Sequence, residues 1–222
     1  MTDRVLVSLT SPEYKVLTDL TWPWAQAYAR KIGADTHLIS GRVWPEHSIH
    51  YEKFQMGELL GRYTRILFVD GDVLIRPTAP DIFKVIPYGT FAAFDEAKHL
   101  DGQYWDLEKI KIQFEPYGWK EPWNGIQFNS GVMVLDMSHQ KIFKTLAFKK
   151  YAWYDQSFFN ARVAQYGYTF ASLDPRWNFL RWLKYRKPHT LERDAWFVHY
   201  TGQWISPEMK AAYLKDELPT GA

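Results

Sequence analysis

The chain contains no cysteine. Disulfides, thiolate metal ligands and a cysteine nucleophile are therefore excluded. It contains no Asn-x-Ser/Thr triplet, so it offers no acceptor for N-glycosylation. No stretch is long and apolar enough to span a bilayer, and the first residues lack the apolar core of a signal peptide. The expected setting is the cytoplasm. Charge of one sign is also lacking: the net charge is +2, which implies no bulk pull toward nucleic acid or membrane. There is no internal repeat and no low-complexity tract. Lys215-Asp216-Glu217-Leu218 spells an endoplasmic-reticulum retention address, but such an address is read only at a C-terminus, and four residues follow it here.

Aromatic residues are abundant. They make up 18% of the 222 residues, with 11 Trp. That exceeds what a core needs, so some are expected to line a groove or stack on rings. The length suits one α/β domain with a sizeable core.

Asp70-Gly71-Asp72 is the most informative segment. It closes the apolar run Arg65-Ile66-Leu67-Phe68-Val69 and opens Val73-Leu74-Ile75. The first run reads as a buried strand of a parallel sheet. Gly71 lets the chain turn, which sets two carboxylates together at the strand's carboxyl end, where open α/β sheets bind ligands. Two like charges so close repel, and one or both take up a proton unless a cation lies between them. A divalent ion bridging to a phosphate resolves the conflict.

Strands alternate with helices along the chain. Val5 to Leu9, Thr36 to Ile39, Phe91 to Phe94, Phe128 to Leu135, Thr169 to Ala171 and Trp196 to Val198 read as strands. A helix is expected after the Ser11-Pro12 start, kinked or split at Pro23 and ended by Gly33. Others are expected over Tyr51 to Leu60, Gln140 to Tyr151 and Gln156 to Gln165, and from Ser206-Pro207-Glu208 onward. Residues 96–125 mix charges, aromatics and two prolines without a period. They read as a long loop or lid beside the site. The pattern predicts one α/β domain over residues 1–222 with a mostly parallel central sheet.

Four further segments bear on chemistry, each with a plainer alternative. Asn129-Ser130-Gly131-Val132 leads small polar groups into a strand, or is simply a turn. Asp155-Gln156 is an acid and an amide aimed at a ligand, or a helix cap. His199, in His199-Tyr200-Thr201-Gly202, is a neutral imidazole metal ligand, or a satisfied core residue. Lys53 is a phosphate-binding cation, or an ordinary surface lysine.

Together, in this order, these segments resemble the glycosyltransferases of the GT-A fold, most closely family 8, the glycogenin and lipopolysaccharide galactosyltransferase group. The shared pattern is an N-terminal strand with Ser8 and Thr10, then Lys53, D-x-D, N-S-G-V, D-Q and H-x-x-G. It covers nearly the whole chain. The resemblance implies retaining transfer of a sugar from a nucleoside-diphosphate donor, by family habit a UDP-sugar, to an acceptor hydroxyl. It implies a metal held by Asp70, Asp72 and His199. Two carboxylates and an imidazole suit Mn²⁺, with Mg²⁺ as the alternative. It assigns Asp155 and Gln156 to the anomeric centre as the catalytic pair. The implied donor contacts are Val7, Ser8, Thr10, Lys53, Asp70, Gly71, Asn129, Ser130 and Gly202.

One departure stands out. The family often extends its histidine motif to H-x-x-G-x-x-K, with that lysine on the diphosphate. Ile205 occupies the position here, so either Lys53, Lys210 or an arginine substitutes, or the diphosphate is held more weakly. The expected acceptor is a saccharide or glycolipid. The basic and aromatic stretch Leu180 to His189 would also touch an anionic acceptor, although it reads more simply as a solvated face. Trp105, Trp119 and Trp123 suit stacking on sugar rings. A modified nucleic-acid acceptor finds no support in the net charge. The rival readings are a sugar nucleotidyltransferase, which would carry a Gly-rich basic loop after the first strand where this chain has Ser8-Leu9-Thr10-Ser11-Pro12, and a non-catalytic nucleotide-sugar-binding module.

Overall fold

The computed structural model describes residues 3–100, 125–144, 154–183, 192–202 and 205–218. The central sheet has six strands: β1 (Arg4–Leu9), β2 (Asp35–Ile39), β3 (Arg65–Val69), β5 (Thr90–Asp95), β6 (Phe128–Asp136) and β7 (Thr169–Ser172), in the order β2-β1-β3-β6-β5-β7. Three neighbouring pairs are parallel. Among the described residues, only β6 runs against its neighbours, β3 and β5. The expected mostly parallel α/β sheet is present.

Both faces of the sheet are covered at its centre, which is why β1, β3, β5 and β6 are buried almost throughout rather than alternating, while the edge strands β2 and β7 are partly exposed. Side chains still alternate in direction. Val5, Val7 and Leu9 pack into one core cluster with Phe54, Phe68 and Phe158, while Leu6 joins the opposite cluster with Tyr28, Leu67 and Val69. Helix α1 (Lys15–Lys31) covers the second face through Ala25, Tyr28 and Ala29. The first face is covered by the 3-10 segment Ile49–Gln55 and the longer helix near the C-terminal half, both described below with the site.

Pro23 does not split α1, contrary to expectation. The helix runs unbroken through it and ends at Gly33, which has φ +66°. Buried anchors on both sides, Leu17, Thr18 and Thr21 before the proline and Ala25, Tyr28 and Ala29 after it, hold the axis in place. Tertiary packing outweighs the missing backbone hydrogen bond. The helix expected over Tyr51 to Leu60 is mostly the 3-10 segment, followed by the short α2 (Met56–Leu59). Two more short helices are α3 (Ile82–Val85) and α4 (Glu96–His99). Residues 137–143, at the start of the expected Gln140 helix, form another 3-10 segment, and 145–151 lie outside the described residues. So do 101–124 of the expected lid, with Trp105, Trp119 and Trp123, and 184–189 of the basic stretch. Helix α5 spans Tyr154–Gln165 and α6 spans Pro207–Glu217, capped by the Ser206 side chain, which accepts from the Met209 amide.

A second, three-stranded sheet was not legible. It pairs β4 (Val73–Ile75), β9 (Phe197–His199) and β8 (Phe179–Leu180), in the order β4-β9-β8. The expected strand Trp196 to Val198 falls within one residue of β9, while β4 and β8, of three and two residues, carry too little periodicity to be read. This small sheet nonetheless positions the site. The antiparallel register pairs Val73 with His199, and the Tyr200 amide donates to the Asp72 carbonyl at 2.9 Å. His199 therefore belongs to the strand rather than following it, and it sits beside Asp72.

Candidate active site

Four chain segments meet at the carboxyl end of β3. Asp70 leaves that strand, with its amide donating to the Gly131 carbonyl at 2.7 Å. Gly71 makes the turn. A β-carbon there would come within 2.5 Å of the Leu9 carbonyl oxygen and 2.9 Å of the Thr18 hydroxyl, so the turn is packed too closely for any side chain. The Thr21 hydroxyl donates to the Gly71 carbonyl at 2.7 Å and ties the turn to α1.

The N-S-G-V segment reaches the site through an irregularity in β6. Ala93 of β5 faces Met133, but the next residue, Phe94, faces Asn129. The residues between arch away from β5, as β-bulges do beside functional sites. The arch turns Ser130 and Gly131 toward Asp70. A β-carbon at Gly131 would lie 2.2 Å from Cε1 of His199, so this glycine makes room for the imidazole.

The result is a cavity of 390 Å³, within the range of small-molecule sites. Of the expected residues, it brings together Thr10, Lys53, Asp70, Gly71, Asp72, Asn129, Ser130, Asp155, Gln156, His199 and Gly202. Val7 and Ser8 do not reach it. Both are buried within β1, with Val7 in the core, because the strand is hydrogen-bonded on both sides and covered on both faces. The wall begins one residue later, at Leu9, and continues through Thr10, Ser11 and Tyr14.

Asp70, Asp72 and His199 each offer one ligand atom, all within 4.8 Å of one another. His199 Nε2 lies 3.2 Å from Asp72 Oδ1 and 3.9 Å from Asp70 Oδ2. Adjacent ligands of an octahedral ion with bonds near 2.1 Å are separated by about 3.0 Å, so this set fits one ion with little movement. Its hard oxygens and single imidazole fit Mn²⁺ or Mg²⁺.

Two lysines balance the carboxylates. Lys53 is 1% exposed, which overturns the surface reading. Its Nζ lies 3.0 Å from Asp70 Oδ1 and 2.8 Å from Asp155 Oδ2. Burial alone would lower its pKa, but Asp155 and Asp70 hold it above the ordinary lysine range. Lys210, from α6, places Nζ 2.8 Å from Asp72 Oδ2. Burial would raise the Asp72 carboxyl, but His199, when protonated, and Lys210 hold it well below the usual carboxylate range. The far end of α6 is pinned by Glu217, which pairs with Arg181 and accepts from the Tyr200 hydroxyl.

Asp155 and Gln156 lie in the first turn of α5, inside the helix rather than at its cap. The Ser130 hydroxyl donates to Asp155 Oδ2 at 2.8 Å. Among the described residues, the contacts of Asp155 to Ser130 and to Lys53 both fall on that one oxygen.

Residues 39–204 match the family model described as Glycosyl transferase family 8. The chain belongs to that family. No curated protein matches its sequence significantly. Solved structures match its fold at low identity. One is a glycosyltransferase involved in glycosylation of the major capsid of PBCV-1, at 15% identity and TM-score 0.63, covering 96% of this chain and 98% of that one. A second is the galactosyltransferase LgtC in complex with donor and acceptor sugar analogues, at 16% identity and TM-score 0.58, covering 98% and 97%. A third is mouse xyloside xylosyltransferase 1, at 13% identity and TM-score 0.54, covering 90% and 98%. The fold is GT-A.

In this family 8 chain a further acid lines the cavity. Glu96 is 4% exposed and opens α4. Its Oε1 accepts from Asn129 Nδ2 and its Oε2 from Gln156 Nε2, both at 3.0 Å. Sequence reasoning placed it at the edge of a loop, since a lone glutamate in a polar stretch carries no burial signal. Burial pushes its pKa up to about 7, Asp95 adds to the rise, and the two amide donors oppose it. The folded chain thus holds this proton more tightly than the unfolded chain. Its stabilising contribution is complete below pH 4.5 and is lost as the pH rises through about 7. Relative to Glu96→Gln, the wild-type chain is expected to lose up to about 3 kcal/mol across that window. Denaturant midpoints measured in steps from pH 4.5 to 8 test this, and parallel profiles for the two proteins would refute it.

Proposed function

We propose that this glycosyltransferase transfers a hexose with retention from a UDP-sugar to a hydroxyl of a saccharide or glycolipid, in one domain and with Mn²⁺ at Asp70, Asp72 and His199. One observation carries the reading. The metal-type triad and the Asp155-Gln156 pair share a cavity, joined by Lys53, whose ammonium touches a carboxylate of each. A binding module that only held a nucleotide sugar would need the triad but not the pair. The loop Leu9-Thr10-Ser11 with Tyr14 offers a wall for the nucleobase, and it has no Gly-rich basic character of the nucleotidyltransferase kind.

A divalent ion at the triad would neutralise charge on the leaving diphosphate. The protein groups do the rest. Lys53 and the Ser130 hydroxyl fix Asp155 by one oxygen, so its charge faces a developing oxocarbenium without reorganising. The Gln156 amide is fixed through Nε2 to Glu96, and its Oε1 accepts from the Ser130 amide at 3.3 Å. It orients the sugar and the incoming hydroxyl. Lys210, already beside Asp72, supplies the cation that Ile205 does not.

A panel of nucleotide sugars, with and without Mn²⁺, tests the reading by thermal shift and by release of free nucleoside diphosphate. UDP-sugars with Mn²⁺ are expected to give the largest shift together with slow release. Absence of any shift with either Mn²⁺ or Mg²⁺ would refute the donor reading, and binding without release would favour the module. Gln156→Ala is expected to lower kcat by roughly 10²-fold while donor affinity changes little. Equal loss in both would mean that Gln156 merely binds.

A further inference from the structure

We propose that Asn178 is a positioning residue that keeps the proton of His199 on Nδ1, and so keeps Nε2 presented as a lone pair to the space between Asp70 and Asp72. The assignment deepens the metal reading above and rests on it for its purpose, though not for its geometry.

The polarity of the chain of hydrogen bonds is fixed by groups with no choice. A backbone amide can only donate. The Gly131 amide lies 2.9 Å from the side chain of Asn129, so the atom it meets is the carbonyl oxygen, Oδ1. The other end of Asn129 is then the NH₂, and it faces Glu96 Oε1 at 3.0 Å. Asn178 approaches the same Oδ1 at 3.0 Å, and only its own NH₂ can donate there. That leaves the Asn178 oxygen for His199, 2.9 Å from Nδ1. An oxygen acceptor at this distance needs a proton on the nitrogen. A neutral imidazole has one such proton, so Nε2 carries the lone pair.

The opposite tautomer has a rival attraction. Nε2 lies 3.2 Å from Asp72 Oδ1, a carboxylate that would itself accept a proton bond from Nε2. Left to Asp72 alone, the ring would favour the form that cannot ligate. Asn178 opposes this, and it is placed to do so without solvent interference. It is fully buried, and Asn129 and His199 are nearly so. It stands immediately before β8, whose parallel register sets Leu180 against His199. The two-residue strand thereby holds asparagine and histidine at a fixed offset. Ligating histidines are commonly oriented by a partner on the second nitrogen. Here the partner is an amide whose own direction is dictated by the Gly131 backbone N–H, one side chain away through Asn129.

The decisive measurement uses the metal-free wild-type protein. Its histidine ¹⁵N resonances, recorded at a pH where His199 is neutral, are expected to show Nδ1 protonated and Nε2 bare. The reverse pattern would overturn the proposal without any mutant. Asn178→Leu is expected to shift His199 toward the Nε2–H form and to weaken Mn²⁺ binding by roughly 10–100-fold in calorimetry. Asn178→Asp, with one oxygen protonated and donating to Asn129 Oδ1 in place of the lost NH₂, keeps an acceptor for Nδ1–H and is expected to retain both the wild-type pattern and Mn²⁺ affinity within a few-fold. Unchanged affinity and ring pattern in Asn178→Leu would also overturn the proposal. A wild-type protein with Nδ1 protonated but no affinity for Mn²⁺ would uphold the tautomer assignment and refute the metal reading, so the two failures are distinguishable.

Discussion

Asp72→Asn is expected to abolish transfer while leaving the chain folded. The carboxylate touches His199 Nε2 through one oxygen and Lys210 Nζ through the other. An amide of the same shape keeps the backbone contact with Tyr200, since that contact uses the Asp72 carbonyl. It removes the charge that a divalent ion requires and turns an NH₂ toward either the lysine or the imidazole. Donor turnover is expected to fall by about 10³-fold or more, which corresponds to roughly 4 kcal/mol of transition-state stabilisation. Mn²⁺ binding in calorimetry is expected to vanish with it. Some stability is expected to be lost, because Lys210 stays buried without its countercharge, but the amide oxygen still offers that ammonium an acceptor and the strands around the turn are untouched, so the chain is expected to remain folded. Activity and Mn²⁺ affinity near wild-type values in a variant with an intact circular dichroism spectrum would remove the metal site from the account.

Legibility in the sequence followed the length and periodicity of each feature. The apolar runs behind β1, β3 and β6 are buried on both faces and were readable as strands within about a residue of their observed ends. Asp70-Gly71-Asp72 was readable as a carboxylate pair because a turn after such a run leaves few other conformations. At Pro23 a kink or a split was expected and the split does not occur, because local propensity carries no information about the buried anchors on either side. Of the small sheet only β9 was readable as a strand; the sheet itself was not, since it joins β9 to β4, more than a hundred residues earlier, and to the two-residue β8. Asn178, which stands immediately before β8, was hidden for the same reason. Asn178 had one signal, a polar side chain inside the aromatic run Trp177 to Phe179, where burial without a partner would be costly. Glu96 had none, and Lys210 had only the gap at Ile205. Val7 and Ser8 show the converse error: a strand that leads to the cavity is not itself its wall.

Lys53→Met separates two jobs that one ammonium performs. In the metal-free chain Lys53 neutralises Asp70 and Asp155 together, while Lys210 serves Asp72. Removing a single partner from buried ion pairs costs about 3–5 kcal/mol, because the charges left behind stay desolvated. The variant is expected to lose stability of that order in denaturant unfolding. The lost ammonium also competes with any ion for Asp70. Mn²⁺ is therefore expected to bind the variant more tightly than wild type. At a concentration 100-fold above Kd it would return about 2.7 kcal/mol. That return would not extend to catalysis. Asp155 keeps the Ser130 hydroxyl but loses the lysine on the same oxygen, so its carboxylate is free to rotate away from the sugar. Turnover is expected to stay depressed at saturating Mn²⁺ even as the unfolding midpoint recovers. Recovery of both would reduce Lys53 to a countercharge that the ion replaces. Recovery of neither, with Mn²⁺ bound no more tightly than in wild type, would show that Lys53 and the ion do not share Asp70.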